Sequence, residues 1–313
     1  MNVLIAGAGH MGGAYLSVLK TLGVTTRVVG RSSEGCIRFS QEHGHPAESG
    51  GLELALSLAP PPDIAIVATS VDQLSRTTGA LLRSGARRIL VEKPGALSLA
   101  DLLEMQRVAK ESGADVYIGF NRRFYASTLA AEKLIQDDGG VLSFTFEFTE
   151  IEQRVLSYEH PPGVLENWFI ANSSHVLDMA FFLGGDPVHL SAYTGHKLHW
   201  SPVGIYAGAG TTNSGAFFSY HANWDSAGRW SIDICTVVRR LIFRPLESLQ
   251  VQVRGQFGIE TVVIDDAFDR TFKPGLYRQI RAFLLGEMQD HLLPIHDYID
   301  RFRLLERIRN PLA

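Results

Sequence analysis

The chain has 313 residues, 45% of them hydrophobic, and a formal net charge of -4, enough to give each of two domains its own core. This near-neutral balance argues against a nucleic-acid or anionic-membrane surface, and no apolar run is long enough to span a bilayer. Two distant cysteines, Cys36 and Cys235, argue against a disulfide framework or a cysteine-rich metal site and favour a reducing, cytoplasmic compartment.

Asn2 to Ala6 reads as an apolar strand, with no basic run before it of the kind that opens a signal peptide. Gly7-Ala8-Gly9-His10-Met11-Gly12 follows, then a helical pattern through Tyr15, Leu16, Val18, Leu19 and Leu22. This is G-x-G-x-x-G with a strand before it and a helix after it, the context the motif requires. Gly7 permits the tight turn, Gly9 lets a pyrophosphate approach the backbone, and Gly12 allows the helix to pack closely on the strand. The helix N-terminus, with His10 and Met11, then faces the phosphates. A glycine-rich turn in an unrelated α/β protein is the plainer alternative.

Val24 to Val29 is the second strand. NAD binders usually end this strand on a carboxylate that accepts from the adenosine ribose. Here it runs into Gly30-Arg31-Ser32-Ser33, a guanidinium and two hydroxyls. Arg31 suits a 2′-phosphate, with Ser32 as a further donor, so NADP is expected over NAD. Ser32 or Ser33 could equally cap the next helix.

A helix is expected at Leu52–Leu58 and a strand at Ile64–Ala68, with Thr69 and Ser70 at its end lining a cofactor cleft or capping the helix Val71–Ser84. The strand Arg88–Val91 then leads into Glu92-Lys93-Pro94. A lysine at the carboxyl end of a strand in an open α/β sheet points into the ligand crevice. There its ammonium can stabilise a developing alkoxide; a strand-end surface lysine is the simpler reading. A helix at Ser98–Ser112 and a strand at Asp115–Phe120 complete the alternation, and Asn121-Arg122-Arg123-Phe124 closes it. The pattern predicts a doubly wound parallel sheet over residues 1–121.

Beyond it the texture changes. Val141–Ile151 alternates like a sheet strand, with Phe144, Phe146 and Phe148 on one face. A Pro-, Glu- and His-bearing loop and the run Glu166 to His175 lead into a helix. Further strands are expected at Val188–Tyr193, Gly215–His221, Ser231–Val237, Arg240–Phe243, Leu249–Val253 and Thr261–Ile264, and helices at Gly275–Leu285 and His296–Ile308. Residues 122–313 therefore read as an α+β domain with a large, mostly antiparallel open sheet, its last helix free to pack back on the first domain. The histidines outside these motifs are scattered, without HExxH or CxxC spacing, so no catalytic metal is expected.

Gly7-x-Gly9-x-x-Gly12, Glu92-Lys93-Pro94, Gly119 to Phe124 and His175-x-x-Asp178 together resemble the Gfo/Idh/MocA oxidoreductases, the glucose-fructose oxidoreductase-like and inositol dehydrogenase-like enzymes. The resemblance runs over nearly the whole chain. It implies a Rossmann domain and a second domain whose sheet joins subunits into a homodimer or homotetramer. It also implies hydride transfer between nicotinamide and a hydroxyl or keto carbon of a sugar, sugar nucleotide or sugar acid. Lys93 matches the family's cleft lysine and His175 its acid/base histidine. Better-known members carry an aspartate four residues before that histidine, where this chain has Ala171; Asn172 is the nearest polar residue.

The expected cofactor contacts are Gly7, Gly9, His10, Met11, Gly12, Arg31, Ser32, Thr69, Ser70, Glu92, Lys93 and Asn121. For the substrate they are Lys93, Arg123, Trp168, Asn172, His175 and Tyr277, with packing or surface roles as the alternative for each of the aromatics and for Arg123. Two rivals share the fold: a glycosidase- or epimerase-like enzyme that keeps its NAD, and a non-catalytic dinucleotide sensor in which Ala171 marks lost chemistry.

Overall fold

The computed structural model describes residues 1–311. The chain divides into two compact units. The first comprises Met1–Asn121 and Thr271–Asp300; the second comprises Arg122–Arg270 and the stretch from Arg301 onward.

In the first unit six parallel strands form a sheet: β1 (Asn2–Ala6), β2 (Thr25–Val29), β3 (Ala47–Glu48), β4 (Ile64–Val67), β5 (Arg88–Glu92) and β6 (Asp115–Gly119). Their order is β6-β5-β4-β1-β2-β3, so the order reverses between β1 and β4, and the crevice for a ligand opens there. Helices α1 (His10–Thr21), α2 (Ser33–His43), α3 (Gly51–Leu58), α4 (Leu74–Ser84) and α5 (Leu99–Ser112) make the crossovers. The central strands are apolar runs because they are covered on both faces: Val3, Leu4, Ile5, Ala65, Ile66 and Val67 are all buried.

The second unit opens with α6 (Ala126–Asp137) and β7 (Ser143–Glu147), then α7 (Glu152–Val155) and α8 (Ser174–Gly184). Its remaining strands are β8 (Pro187–Gly195), β9 (Ile205–Thr212), β10 (Phe217–Asn223), β11 (Ser231–Cys235), β12 (Arg239–Phe243), β13 (Gln250–Val253) and β14 (Glu260–Thr261). They lie in the order β14-β13-β12-β11-β7-β10-β9-β8, antiparallel except where β7 runs parallel to β10. Phe144, Phe146 and Phe148 are almost wholly buried. Phe181 of α8 stands edge-on to the first two, at 6.0 and 5.4 Å between ring centroids. Burying each such ring contributes about 1.5–3 kcal/mol. These phenylalanines thus face a helix of their own unit.

Among the elements that escaped the sequence pattern, α6 and β9 are the longest. The alanine-rich α6 has only a thin apolar stripe. β9, Ile-Tyr-Ala-Gly-Ala-Gly-Thr-Thr, carries two glycines that weaken a strand on propensity alone. The structure requires both. A Cβ on Gly208 would lie 2.3 Å from the Tyr220 hydroxyl oxygen, and one on Gly210 would lie 1.9 Å from the His189 carbonyl oxygen. In the other direction, the expected strands Val141–Ile151 and Thr261–Ile264 shrink to Ser143–Glu147 and Glu260–Thr261.

After α9 (Ala267–Thr271) the chain returns to the first unit, so the stretch 122–313 is interrupted. Helix α10 (Leu276–Leu285) packs against α1, burying Leu276, Ile280 and Phe283. Leu293–Pro294 pairs antiparallel on the edge of β6. Helix α11 (Ile295–Arg309) starts in the first unit, where the Tyr298 ring lies tilted against Phe120 at 5.4 Å, and ends in the second. Sequence reading allowed a return for the last helix only, whereas the stretch that joins the first unit begins at Thr271.

The second unit is pinned by a buried ion cluster. Asp178, 1% exposed, accepts from both Nε and Nη2 of Arg123 at 2.8 and 2.6 Å. Arg301 Nε lies 3.9 Å from the same carboxylate, and its Nη2 donates to Asp186 at 2.7 Å. Burial pulls the Arg301 guanidinium below its ordinary range, against the opposing pull of Asp178 and Asp186. Removing Asp178 strands the buried Arg123 and leaves Arg301 with Asp186 alone. Asp178→Ala should therefore lower unfolding free energy by about 3–5 kcal/mol, read from urea denaturation; a loss under about 1 kcal/mol would show the cluster to be incidental.

Candidate functional site

A cleft of about 600 Å³ opens at the carboxyl ends of β1 and β4, lined by Gly7, Gly9, Arg31, Thr69 and Ser70 among others. Its floor exists because two residues lack side chains. Gly7 has φ +128°, and a Cβ there would lie 2.3 Å from the Ala68 carbonyl oxygen. A Cβ on Gly12 would lie 2.0 Å from the Gly7 carbonyl oxygen. Gly9, which precedes α1, faces open space, so a ligand can reach the backbone at the helix N-terminus. The Thr69 hydroxyl is buried without a hydrogen-bond partner among the described residues. A glycine cradle, a helix N-terminus and an orphaned hydroxyl fit a dinucleotide phosphate.

Gly50, Gly51, Glu53, Gln73 and Arg76 also line this cleft and were not anticipated. The Gly50-Gly51 pair was the available signal: both take positive φ, and Gly51 N donates to the Gly30 carbonyl. At this end Arg76 donates to Glu53 at 3.0 Å. Arg31 lies within electrostatic reach of Asp72. Burial raises the Asp72 carboxyl, but donors on Gln73 and Ser70 and the Arg31 charge outweigh it and hold the carboxyl below its usual range.

Other expected cofactor contacts have structural partners. Ser32 caps α2, accepting from Gly35 N at 3.1 Å, and is not a wall of the cleft. His10 is exposed on the first turn of α1, and Met11 Sδ receives Lys273 Nζ at 2.9 Å. Asn121 is buried and donates to the Pro274 carbonyl at 2.9 Å, tying the end of the sheet to the returning chain. Glu92 accepts from the Tyr15 hydroxyl at 2.6 Å. Burial, with the Glu92 charge, pushes that phenol well up, so it stays a donor. Lys93 follows directly, half-buried, through a cis peptide to Pro94.

In the second unit His175 is 7% exposed in the first turn of α8, after a π-helical turn at Phe169–Ser173. Such turns recur at functional sites. Neither serine caps the helix: Ser174 Oγ donates to the Ile170 carbonyl, and Ser173 Oγ donates to Glu150 at 2.6 Å. Asn172 Nδ2 also donates to Glu150, at 3.1 and 3.2 Å. The amide expected to meet a substrate is thus held by a buried carboxylate three residues past the end of β7, in a turn that has Ala171 where an aspartate was looked for. Sequence reading missed Glu150 because it lies 22 residues from Asn172.

Arg123 is likewise engaged: its fork is filled by Asp178, and Phe182 lies 4.8 Å from its guanidinium. Tyr277 belongs to the first unit, where it stacks on Phe272 at 5.2 Å. Trp168 meets His160 edge-on at 5.0 Å, and its Nε1 is buried without a partner among the described residues. Beside His175 stands Trp230, at 6.3 Å between ring centroids, and the guanidinium of Arg122 lies 5.0 Å over the same indole.

Residues 1–120 match the GFO_IDH_MocA family model, described as an oxidoreductase family with an NAD-binding Rossmann fold. Among solved structures the chain is similar to levoglucosan dehydrogenase in complex with NADH and levoglucosan, at 18% identity and TM-score 0.78, over 99% of this chain and 96% of that one. It is similar to an oxidoreductase from Agrobacterium radiobacter in complex with NAD+, L-tartaric acid and magnesium, at 16% identity and TM-score 0.77, over 99% and 96%. UDP-N-acetylglucosamine 3-dehydrogenase from Acidithiobacillus ferrooxidans gives 16% and 0.76 over the same shares. A curated relative, 4-carboxy-2-hydroxymuconate-6-semialdehyde dehydrogenase from Sphingobium sp. (strain NBRC 103272 / SYK-6), is 23% identical over 203 residues, 62% of this chain and 62% of that protein. Nearly the whole chain shares the fold of these solved structures, and its residues 1–120 match the Rossmann-domain model of the Gfo/Idh/MocA oxidoreductases.

Proposed function

We propose that the protein is an NADP(H)-preferring dehydrogenase or reductase that acts on a hydroxyl or keto carbon of a sugar, sugar nucleotide or sugar acid. The glycine-cradled cleft at the β1–β4 reversal carries this reading. When bound, the nicotinamide supplies the hydride acceptor or donor. The chain must then handle the proton and the charge on oxygen. His175 takes the hydroxyl proton as a neutral imidazole, a role suited to pH near neutrality. Lys93 offers an ammonium to the oxygen as its charge develops. Both roles are assigned from residue chemistry and the family resemblance.

Two of the solved relatives named above, the Agrobacterium radiobacter oxidoreductase and levoglucosan dehydrogenase, carry NAD+ and NADH. The preference for NADP rests on Arg31 in the cleft wall and on the absence of a carboxylate at the end of β2. Losing a charge-assisted contact costs about ten- to a hundredfold in affinity. Arg31→Ala should therefore weaken NADPH by that factor in a fluorescence titration and leave NADH little changed. Wild-type protein that binds NADH as tightly as NADPH would refute the preference.

His175→Ala should lower turnover by about two to four powers of ten while NADPH affinity stays within twofold. Full turnover in that variant would remove the acid/base role and leave the sensor reading. The two cysteines are free thiols, consistent with the cytoplasmic compartment proposed here. Among the described residues no helix is long and apolar enough to cross a membrane.

The phenylalanines of β7 are covered within their own unit, so they do not argue for a partner. The opposite sheet face bears small residues, Thr145, Ala209 and Ser191, with exposed Phe217 and Tyr193. A homodimer or homotetramer joined through this face is proposed, since large exposed aromatics on an open sheet face favour association. Light scattering at micromolar concentration should give twice or four times the mass of one chain; a single-chain mass would end the proposal.

A further inference from the structure

We infer that Arg122, stacked on Trp230 beside His175, binds an anionic group of the substrate, so that the preferred substrate is a sugar acid or sugar phosphate. The inference rests on the dehydrogenase reading above and sharpens it. All three residues belong to the second unit and border one indole ring: His175 at 6.3 Å between centroids, and the Arg122 guanidinium carbon at 5.0 Å. Tyr125 supports the same guanidinium at 5.7 Å.

Stacking occupies the faces of a guanidinium and leaves its N–H groups radiating in the plane, a fork that matches carboxylate and phosphate oxygens. Arg122 Nε is buried and has no hydrogen-bond partner among the described residues. The next residue shows the contrast: Arg123 Nε and Nη2 are both filled by Asp178. Two consecutive arginines thus have opposite fates, one closing a buried ion pair and the other lying against two aromatic rings, Trp230 and Tyr125, with its Nε unpartnered among the described residues. A bidentate anion is the partner such a donor set accepts best. The Trp230 face also suits the C–H face of a sugar ring, so an acid with its carbinol carbon a few bonds from the anion could meet both ends of this surface.

The test uses the full chain with NADP+ and NAD+, assaying D-gluconate and D-glucuronate for carboxylates, D-glucose 6-phosphate for phosphate, and D-glucose as the neutral control. The wild type should prefer one anionic arm over D-glucose by kcat/KM, and the favoured arm tells carboxylate from phosphate. In Arg122→Gln that ratio should fall by about ten- to a hundredfold, mainly through KM, with Arg122→Lys in between. A merely structural role would lower all arms together. Binding is measured in parallel by tryptophan quenching on nucleotide-loaded protein. Saturable D-glucuronate or D-glucose 6-phosphate binding that Arg122→Gln abolishes, without turnover of any probe, would uphold the anion site and sink the hydride reading. A wild type that prefers D-glucose, equal losses on all arms, or no saturable binding of either anion up to 10-fold above the protein's best neutral ligand would overturn the proposal.

Discussion

The cleft depends on one steric constraint, the near-contact of backbone with backbone at Gly7 and Gly12. The Gly7 carbonyl would lie 2.0 Å from any side chain at residue 12, and the Ala68 carbonyl 2.3 Å from one at residue 7. Helix α1 can therefore start directly over the end of β1 and point its free N–H groups into the crevice. Strand reversal between β1 and β4 keeps that crevice open, because no crossover helix fills it. Thr69 and Ser70 then enter from β4 and Arg31 from β2. Each is there because of where its strand ends.

That logic explains what the sequence made legible. Strand ends and glycine spacing are local, so the loop and the residues grouped around the cleft could be placed from the order of the chain. Roles set by distant partners could not. Ser32, Asn121 and Arg123 have side chains that suit ligands, yet their partners are a helix cap, a returning loop and Asp178. The Arg123–Asp178 pair spans 55 residues, and nothing in either neighbourhood announces it. The same holds for β9, whose glycines oppose a strand on propensity and are demanded by Tyr220 and His189 across the ladder.

Around His175 the second unit makes two opposite electrostatic arrangements close together in sequence. Glu150 is buried and engages the turn just before the histidine through Asn172 and Ser173. The carboxylate comes from three residues past the end of β7 and engages the π-helical turn Phe169–Ser173. On the other side, Trp230 carries the Arg122 charge. The histidine lies in a shell whose shape is set by side chains from three separate stretches of the chain.

The return of residues 271–300 to the first unit also bears on how the protein is made. The sheet edge at β6 gains its last strand, and α1 its packing partner, from residues near the end of the chain. Arg88 Nε donates to the carbonyl of Phe283, 195 residues on. A ribosome therefore releases residues 122–270, most of the second unit, before the first can be closed. Until then Ile118 and the buried face of α1 stay uncovered, with loop-closure entropy still to be met. The second unit, nearly continuous, can condense while the first waits. In this chain the domain that begins first waits through the synthesis of almost all of the other, and its exposed sheet edge is the surface a chaperone would need to guard during synthesis.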